Sequence, residues 1–333
     1  MKSTYPDFEI IFVDDGSKDA TLPSVKAAFA GNNKVKIFTK PNGGKASALN
    51  FGIAECTRDF VVCIDADTQL RSDAISELMK KVTDDTVDAV AGNVKVGNEL
   101  NILTQWQSIE YITSQNFDRR AFDLLNAVTV VPGAIGVFRK KALLEAGGFT
   151  TDTLAEDCDL TIRLLKGGSK ITYAPTAIAV TEVPETLKMF LKQRFRWTFG
   201  ILQSLFKHKD ALFNPTQKML GLVALPNVLI FQFLLPILAP IADLLMLYSI
   251  LTGQGSHVLT AYLLFLLVDG LGAALAFGFE GENMKRLIWL LPQRLVYRQL
   301  MTYVLFKALL KALKGELMSW GILKRTGNVV TDF

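Results

Sequence analysis

The feature that most constrains this chain is a long stretch, Met219–Phe279, that contains no Lys, Arg or Glu and only two acids, Asp243 and Asp269. Over the whole chain of 333 residues, by contrast, 20% of the residues are charged. A helix needs about 20 consecutive apolar residues to cross a hydrocarbon core that is about 30 Å thick. Two segments, Ala224–Leu251 and Val258–Phe279, reach that length. The sequence therefore predicts a membrane region with at least two crossings.

A third apolar segment, Leu287–Leu313, differs from the first two because it carries four basic residues. These are Arg294, Arg298, Lys307 and Lys311. Such a segment could cross the bilayer or lie in its interface. Pro236 and Pro240 predict that the first crossing is kinked, or that it consists of two short pieces that meet at the prolines. We therefore expect two to four helices and a basic tail in residues 211–333.

The distribution of Lys and Arg around these segments predicts the topology. The loop between the first two crossings, Thr252–His257, contains no Lys or Arg, whereas basic residues lie on the other side of both crossings. They are Lys207, Lys209, Lys218, Lys285 and Arg286, joined by Lys314, Lys324 and Arg325 in the tail. Because cytoplasmic loops are enriched in Lys and Arg, we predict a multi-pass protein of the cytoplasmic membrane with residues 1–218 in the cytoplasm. Asp243 and Asp269 would face a bundle interior or a water-filled path, or would lie near an interface.

Residues 1–210 follow a different pattern, in which short β-branched runs alternate with helix-like segments. The runs are Glu9–Val13, Val35–Phe38 and Phe60–Ile64, and the helix-like segments are Lys45–Cys56 and Ser72–Val82. This alternation is typical of an α/β sheet with covering helices. We therefore predict one cytoplasmic α/β domain over residues 1–210.

Composition excludes several classes of function. The 36 Lys and Arg residues against 32 Asp and Glu residues give a net charge of only +4. They form no basic tract, so no nucleic-acid partner is expected. Three widely spaced cysteines exclude a disulfide scaffold and suit a reducing compartment. Two histidines cannot form a His-rich metal site.

Acidic residues follow two of the predicted strands. Asp14 and Asp15 come after the first run, and Asp65 and Asp67 come after the third. Ligands of open α/β sheets bind beyond the carboxyl ends of the strands, and alternate residues of an extended chain point the same way. Asp65 and Asp67 could therefore supply two oxygen ligands to Mg²⁺ or Mn²⁺ while a substrate diphosphate completes the coordination. The alternative for each pair is a solvated turn.

The loop Lys40–Lys45 precedes a predicted helix and could offer backbone N–H groups and the Lys45 cation to a phosphate. It is not a Walker A loop, because Thr39 stands where that motif has its first Gly and Ala46 follows the lysine. No G-x-G-x-x-G motif follows a predicted strand either. The sequence therefore contains neither of the motifs that would best support an ATPase or a dinucleotide-binding function.

A third acidic group, Glu156, Asp157 and Asp159, opens a helix-like run that stops at Gly167–Gly168. Acids in the first turn stabilise a helix, and at least one of the three is expected to do only that. A carboxylate held near a site could instead serve as a general base.

A fourth cluster lies on a helical stretch, Glu185–Lys207. Gln193, Arg196 and Trp197 are spaced i, i+3, i+4 and share a face, while Arg194 points elsewhere. An arginine can neutralise a diphosphate, and an indole offers a flat surface to a sugar ring. The alternative is a basic aromatic helix on the membrane surface, and the two interpretations are compatible.

In this order, the four clusters resemble the signature of processive family 2 glycosyltransferases, the group of the cellulose, chitin and hyaluronan synthases. The clusters are Asp14-Asp15-Gly16, Asp65-Ala66-Asp67, Ala155-Glu156-Asp157 and Gln193-x-x-Arg196-Trp197. Within that group, the stretches Ile109–Arg139 and Gln193–Gly200 most resemble bacterial poly-N-acetylglucosamine synthases. The resemblance covers nearly the whole chain, including its apolar segments.

The resemblance implies a GT-A catalytic domain with a mixed, Rossmann-like sheet. Such a domain takes a UDP-sugar from the cytoplasm, here UDP-N-acetylglucosamine, inverts the anomeric centre and extends a polysaccharide of the kind found in biofilms. It uses a divalent cation, Mg²⁺ or Mn²⁺. The implied partners are the donor, the polysaccharide acceptor and the lipid bilayer, and the resemblance leaves room for an accessory membrane subunit.

The resemblance also implies roles for the clustered residues. Asp14 or Asp15 would contact the uridine. Asp65 and Asp67 would bind the nucleotide and the metal ion. Asp157 would take the proton from the acceptor hydroxyl as that hydroxyl attacks C1 of the donor. The remaining substrate-binding residues would be Lys45, Glu156, Gln193, Arg194, Arg196 and Trp197.

Catalytic domains of this family normally open with another strand and helix after N-terminal membrane segments, whereas this chain reaches Asp14 within a few residues of its start. We therefore expect part of the wall of the nucleotide pocket to be absent from this chain. Two other functions stay open. One is a non-processive transferase that acts on a lipid phosphate carrier, and the other is a non-catalytic membrane protein that senses or transports nucleotides.

Overall fold

The computed structural model of the protein describes residues 2–82, 85–253 and 255–315, so Lys324 and Arg325 of the predicted basic tail lie outside the described residues. The strands are β1 (Ile10–Asp14), β2 (Val35–Thr39), β3 (Phe60–Cys63), β4 (Gln69–Leu70), β5 (Val87–Val96), β6 (Gly136–Arg139) and β7 (Lys170–Thr181). The helices of the first part are α1 (Thr21–Ala28), α2 (Lys45–Glu55), α3 (Ala74–Lys81), α4 (Ile102–Glu110), α5 (Phe117–Asp123), α6 (Lys140–Glu145), α7 (Glu156–Lys166) and α8 (Leu187–Lys207).

The remaining elements are helical. They are α9 (Leu225–Asn227), α10 (Leu235–Leu251), α11 (Gly255–Glu280) and α12 (Leu290–Leu313). Segments of π-helix run over Tyr111–Asn116, Leu220–Ala224 and Val228–Leu234, and 3₁₀ turns over Pro215–Gln217 and Met284–Trp289.

The alternation of strands and helices predicted from the sequence is observed. β1, β2, β3, α2 and α3 lie within one or two residues of the predicted boundaries. α8 begins at Leu187 rather than at Glu185. The reason is that the Thr186 side chain accepts a hydrogen bond from the N–H of Met189 at 3.4 Å and caps the helix there.

The strands form two sheets. β1 pairs in parallel with β2. The second sheet has the order β3-β6-β5-β7-β4, in which β5 and β7 are parallel and the other three pairs are antiparallel. The larger sheet is therefore mixed, as predicted. Cys56, Cys63 and Cys158 are buried and free, in line with the expected lack of a disulfide scaffold.

The hydrophobic core continues from the sheet into a long apolar helical run, Leu220–Leu251, here called the first apolar helix. One cluster of buried residues contains Phe138 of β6 and Leu160 of α7 together with Leu220, Ala224 and Val228. Burial of apolar surface from both parts in one cluster stabilises their contact. The base of the first apolar helix is thus packed against the helix that carries Asp157.

Among the residues that the structure describes, two helical runs are long and apolar enough to cross a membrane. They are Leu220–Leu251, of 32 residues, and Val258–Glu280, of 23 residues. The first run stays helical through Pro236 and Pro240, so it is not divided into two pieces. Its turns change between α- and π-helix before the prolines, and these local adjustments accommodate the interruptions of the hydrogen-bond ladder that prolines cause.

α12, the third apolar segment, packs along α8 and supplies partners to both acids of the apolar stretch. Arg294 binds Asp269 through two hydrogen bonds of 2.7 and 2.8 Å. Arg298 forms an ion pair with Asp243, which also accepts a hydrogen bond from Gln299 at 3.0 Å. Both carboxylates therefore face a neighbouring helix, which agrees with the first of the two predicted placements.

Candidate active site

A cavity of about 600 Å³ lies where the mixed sheet, α8 and the first apolar helix meet. The part next to the sheet, here called the acidic end, is lined by Lys45, Asp65, Glu156 and Asp157. The rest, here called the helical end, lies between α8, the helical run that includes α4 and α5, and the base of the first apolar helix. Three of the four clusters found in the sequence thus border one cavity.

Lys45, at the first position of α2, holds the acidic end together. Its Nζ lies 2.7 Å from Oδ1 of Asp65 and 3.1 Å from Oε1 of Glu156. Burial alone would lower the pKa of this lysine, but the charges of Asp65, Glu156 and Asp157 outweigh burial and raise the pKa. A Cβ at Gly133 would lie only 2.6 Å from Nζ of Lys45, so glycine makes room for the cation. Several negative charges thus share one cation at the cavity wall.

The two acids that open α7 have different surroundings. Glu156 is 4% exposed, and burial raises the pKa of its carboxyl although the charge of Lys45 opposes the shift. Asp157 borders the cavity, and its Oδ1 accepts a hydrogen bond from the backbone N–H of Cys158 at 2.8 Å. Glu156 is therefore tied to Lys45, whereas Asp157 is placed to accept a proton from a ligand in the cavity.

Gly200 of α8 fixes the position of these two acids. A Cβ at Gly200 would lie 2.6 Å from the backbone N of Ala155 and 2.8 Å from the backbone C of Leu154. Contacts that short do not occur in folded proteins, so α8 can approach the start of α7 only because this position has no side chain. Gly200 ends the stretch Gln193–Gly200, but no feature of the sequence alone gave it this role.

The predicted face of α8 lines the helical end. Gln193, Arg196 and Trp197 all border the cavity. The ring of Trp197 lies across from that of Tyr111, with 6.4 Å between the ring centroids. The indole and the neighbouring polar groups thus form a surface of the kind that binds a sugar ring.

Contrary to the expectation that Arg194 points elsewhere, it borders the same cavity, but its charge is neutralised within the protein. Its side chain is 1% exposed and donates hydrogen bonds to the Glu110 carboxylate and, at 3.1 Å, to the Tyr297 hydroxyl. Its guanidinium lies 4.4 Å from the centroid of the Trp197 ring. Arg194 therefore ties α8 to α4 and α12 and supports Trp197, while direct contact with a substrate stays a prediction.

Asp15 lies outside the lining of the cavity and organises the loop before α2. It accepts hydrogen bonds from the N–H groups of Gly43 at 3.0 Å and Gly44 at 2.8 Å, and it pairs with Lys40 at 2.6 Å. Burial alone would raise the pKa of Asp15, but these three donors lower it. The expectation that the N–H groups of this loop bind phosphate is therefore wrong for Gly43 and Gly44, because both already donate to Asp15.

Asp14 also lies outside the lining of the cavity. It accepts hydrogen bonds from the N–H of Ser17 at 3.3 Å and from the hydroxyl of Thr39 at 3.1 Å. The hydrogen bonds with Ser17 and Thr39 lower the pKa of its carboxyl. Asp14 thus fixes the turn after β1 to the end of β2, and its contact with a uridine stays a prediction.

The residues around Asp65 are compatible with a metal ion held mainly by a substrate. Among the described residues, no group of three or more His, Cys, Asp or Glu is arranged to hold a metal ion. The Asp65 side chain is 33% exposed at the cavity wall and can supply one oxygen ligand, while Asp67 lies in the following turn and does not line the cavity. A diphosphate would have to supply further oxygens, so the roles of both residues as ligands stay predictions.

Comparison with known proteins decides the family. The profile of the family described as "Glycosyl transferase family group 2" matches residues 60–279, which is more than half of the chain. This chain belongs to that family. The matched region includes Asp65, Asp157 and the α8 face, so the resemblance predicted from the four clusters is confirmed.

Curated relatives of this family member include two poly-β-1,6-N-acetyl-D-glucosamine synthases. The protein of Staphylococcus aureus (strain COL) is 36% identical over 197 residues, which cover 59% of this chain and 48% of the relative. The protein of Staphylococcus epidermidis is 36% identical over 200 residues, with the same shares. The chain thus spans about half the length of the curated relatives that it matches.

A solved structure supports the fold. The mannosyltransferase PcManGT from Pyrobaculum calidifontis, in complex with GDP-Man and Mn²⁺, superimposes with a TM-score of 0.64. Sequence identity is 22%, and the match covers 95% of this chain and 81% of that one. The predicted α/β fold of GT-A type, with a mixed sheet and apolar C-terminal helices, is therefore confirmed.

Charged residues outside the four clusters, Glu110 and Glu182 among them, also border the cavity of this family member, and two of these residues are adjacent in the chain. They are Asp118 and Arg119 of α5. Burial raises the pKa of Asp118 to about 6, with the charge of Arg119 opposing the shift. Burial lowers the pKa of Arg119, and the charges of Asp157 and Asp118 oppose this shift. The sequence signalled them only through their place in the stretch Ile109–Arg139.

Proposed function

We propose that this chain transfers a sugar from a nucleoside diphosphate sugar to the hydroxyl group of a saccharide, as a membrane-bound, inverting enzyme. The observation that carries the proposal is the single cavity that joins the acidic end, with its cation and its proton acceptor, to the α8 face around Trp197. Membership of the glycosyltransferase family supports it.

The donor would bind with its diphosphate at the acidic end. Lys45 would neutralise part of the diphosphate charge, and Asp65 would hold a divalent cation together with the diphosphate oxygens. A bound Mg²⁺ or Mn²⁺ would stabilise the charge that develops on the leaving diphosphate. Arg196, on the opposite wall, would add a second positive charge.

The acceptor would lie on the α8 face, with a sugar ring against Trp197 and a hydroxyl group at Asp157. As the hydroxyl oxygen forms a bond to C1, the bond from C1 to the diphosphate oxygen breaks and its electron pair leaves with the nucleoside diphosphate. Asp157 takes the hydroxyl proton, a step that contributes about 10²–10⁴-fold. Because the attack comes from the face opposite the leaving group, the anomeric centre inverts without a covalent enzyme intermediate.

UDP-N-acetylglucosamine is the donor that the names of the staphylococcal relatives support, and a β-1,6-linked polymer is the matching product. The two apolar helices support a multi-pass membrane location, and the positions of Lys and Arg favour a cytoplasmic catalytic part. An accessory membrane subunit stays a prediction.

The test is transfer by the full chain in membranes or nanodiscs, with a panel of labelled UDP-sugars and with Asp157→Asn beside the wild type. We expect wild-type transfer of N-acetylglucosamine, a loss of about 10²–10⁴-fold in Asp157→Asn, and UDP binding within a factor of about two. Asp159→Asn is not a suitable control because Asp159 is buried in ion pairs. Glu145→Gln, on the surface of α6, is suitable because Glu145 is 67% exposed. Full transfer by Asp157→Asn would refute the assigned base.

A second candidate is transfer of a single sugar to a lipid phosphate carrier. The observation in its favour is the apolar lining that Val228, Phe231 and Pro236 of the first apolar helix give to the helical end. The length of the labelled product separates the two functions, because this candidate yields only single-sugar lipid products.

A further inference from the structure

One face of the helical run Ile102–Asp123 forms a wall of the helical end. Its cavity-lining residues are Glu110, Tyr111, Ser114, Gln115, Asp118, Arg119 and Phe122. They form two rows with i, i+4 spacing, which keeps them on one side of the helix. The run passes through a π-helical segment, Tyr111–Asn116, and such segments occur often at functional sites.

Asp118 is the acid of this wall that is exposed to the cavity, whereas the other acid, Glu110, is paired with Arg194. The Asp118 side chain is solvent-exposed, yet it borders the cavity, and enough protein surrounds it that desolvation raises its pKa to about 6. A ligand in the cavity would therefore meet the Asp118 carboxylate directly.

Arg119 connects this acid to the reaction centre. Its side chain is 9% exposed and donates a hydrogen bond to Oδ1 of Asn116 at 3.2 Å. Its charge interacts with both Asp157 and Asp118. In the proposed function Asp157 contacts the acceptor hydroxyl, so an acceptor that extends from Asp157 along this wall would reach Asp118, whereas the donor diphosphate would lie at Lys45.

The facing walls also offer polar groups. Trp197 of α8 lies across from Tyr111, and Asn227 and Gln232 border the cavity from the first apolar helix. Amide side chains both donate and accept hydrogen bonds, as sugar hydroxyl groups do. The helical end thus combines an aromatic surface with amides and carboxylates, groups that can bind the hydroxyl groups of a saccharide. Of these carboxylates, Glu110 is paired with Arg194 and Glu182 is buried, whereas Asp118 is exposed to the cavity.

We propose that Asp118 is a specificity-determining residue for the acceptor, and that its carboxylate binds a hydroxyl or ammonium substituent of the acceptor saccharide. This inference rests on the proposed function, because that function places an acceptor at Asp157. It goes further by assigning the choice of acceptor to a wall outside the four clusters. A carboxylate binds an ammonium group more strongly than a neutral acetamido group, so an acceptor that carries ammonium groups tests the role of Asp118 most directly.

The experiment measures binding and transfer separately on the full chain in nanodiscs. Binding of β-1,6-linked pentasaccharides of N-acetylglucosamine and of glucosamine is measured by calorimetry for the wild type, Asp118→Asn and Asp118→Glu. We expect Asp118→Asn to weaken binding of the glucosamine oligomer by about tenfold or more, because a hydrogen bond to a charged group is lost. The N-acetylglucosamine oligomer should lose less, and Asp118→Glu should retain most of the binding. UDP binding should stay within a factor of about two in all variants.

The control is Glu145→Gln, which removes a surface carboxylate of α6 and should change neither oligomer's affinity. Equal affinities of the wild type and Asp118→Asn for both oligomers would overturn the inference, and so would a wild type that binds neither. If binding depends on Asp118 but no labelled sugar is transferred from any donor, the saccharide-binding role holds and the proposed function fails. If transfer proceeds but Asp118→Asn binds and selects acceptors as the wild type does, only the inference fails.

Discussion

Ion pairs hold partly buried carboxylates in two regions that differ in their charge balance, the acidic end of the cavity and the apolar helices. In the helices each acid has its own arginine, Arg294 for Asp269 and Arg298 for Asp243. At the acidic end, by contrast, the single cation of Lys45 lies between two carboxylates. The charges balance in the helices but leave an excess of negative charge at the cavity.

This difference separates a structural role from a functional one. A one-to-one pair neutralises its charges and leaves nothing for a ligand to complete, so its main effect is to join two helices. An excess of carboxylates around one cation at a cavity wall is costly unless a further cation or proton arrives. The acidic end therefore has the electrostatics of a site that binds a metal ion together with its substrate.

Replacement of Lys45 by Met should give the largest effect. It leaves Asp65 and Glu156 without their shared cation and removes a positive charge from the proposed diphosphate position. Loss of one such electrostatic group lowers turnover by about 10²–10³-fold. The measurement is transfer of labelled sugar at saturating donor, and Lys45→Arg should retain much more activity.

The matched control for that prediction is Lys36→Met, because Lys36 pairs with Glu9 at 2.6 Å but is 40% exposed on the surface. Surface pairs contribute about 0–1 kcal/mol, so this variant should transfer sugar at the wild-type rate. Equal activity of Lys45→Met and Lys36→Met would remove the distinction between the acidic end and an ordinary ion pair.

Arg294→Leu should destabilise the protein without removing its chemistry. It leaves Asp269 without its arginine in an apolar helix, and a lone acid there costs about 3 kcal/mol. Thermal unfolding in detergent should show a lower transition temperature, while the protein that remains folded transfers sugar normally. The double variant Arg294→Leu with Asp269→Leu should recover most of the loss, because no charge is then left unpaired.

Loss of transfer in the double variant, despite recovered stability, would contradict the structural role of the helix pairs. It would mean that the arginine or the acid takes part in the reaction or in the path of the product. The comparison between the two regions would then no longer hold.

The places of charged residues at strand ends and helix starts could be predicted from the sequence, whereas their partners from distant parts of the chain could not. Asp65 follows a strand and Lys45 opens a helix, and both positions follow from local patterns. The spacing of Gln193 and Trp197 likewise gave the correct face of α8. What spacing cannot show is which distant group meets that face.

Three features show why the rest of the site could not be predicted from the sequence. Gly200 matters because of a backbone 45 positions earlier, at Ala155, and close approach leaves no mark in composition. Asp118 looks like an ordinary helix acid until the cavity around it is seen. Gly43 resembles part of a phosphate-binding loop, but a nearby acid, Asp15, takes its N–H group. Each depends on tertiary contacts that override a local pattern.

Asp118 shares features with both regions, because it borders the cavity and also interacts with the charge of one arginine, Arg119. The pH dependence of the protein's stability tests whether that arginine balances its charge. Its pKa is raised from 3.8 to about 6 in the folded protein. Between these values the folded state binds more protons than the unfolded state, so stability should fall as pH rises from about 4 to about 6. Because Asp118 is exposed, solvent screening should limit the change to about 1 kcal/mol or less.

Asp118→Asn should remove that part of the pH dependence. Thermal unfolding at pH 4.5, 5.5 and 7 should show the variant gaining stability relative to the wild type as pH rises. A saturating acceptor oligosaccharide that carries ammonium groups should have a similar effect on the wild type at pH 7, because it supplies the missing positive charge to the carboxylate. The alternative is that Arg119 already balances the charge of Asp118, as Arg294 balances that of Asp269. Neither the substitution nor the ligand would then change how stability depends on pH, and Arg119 would be a structural partner of Asp118.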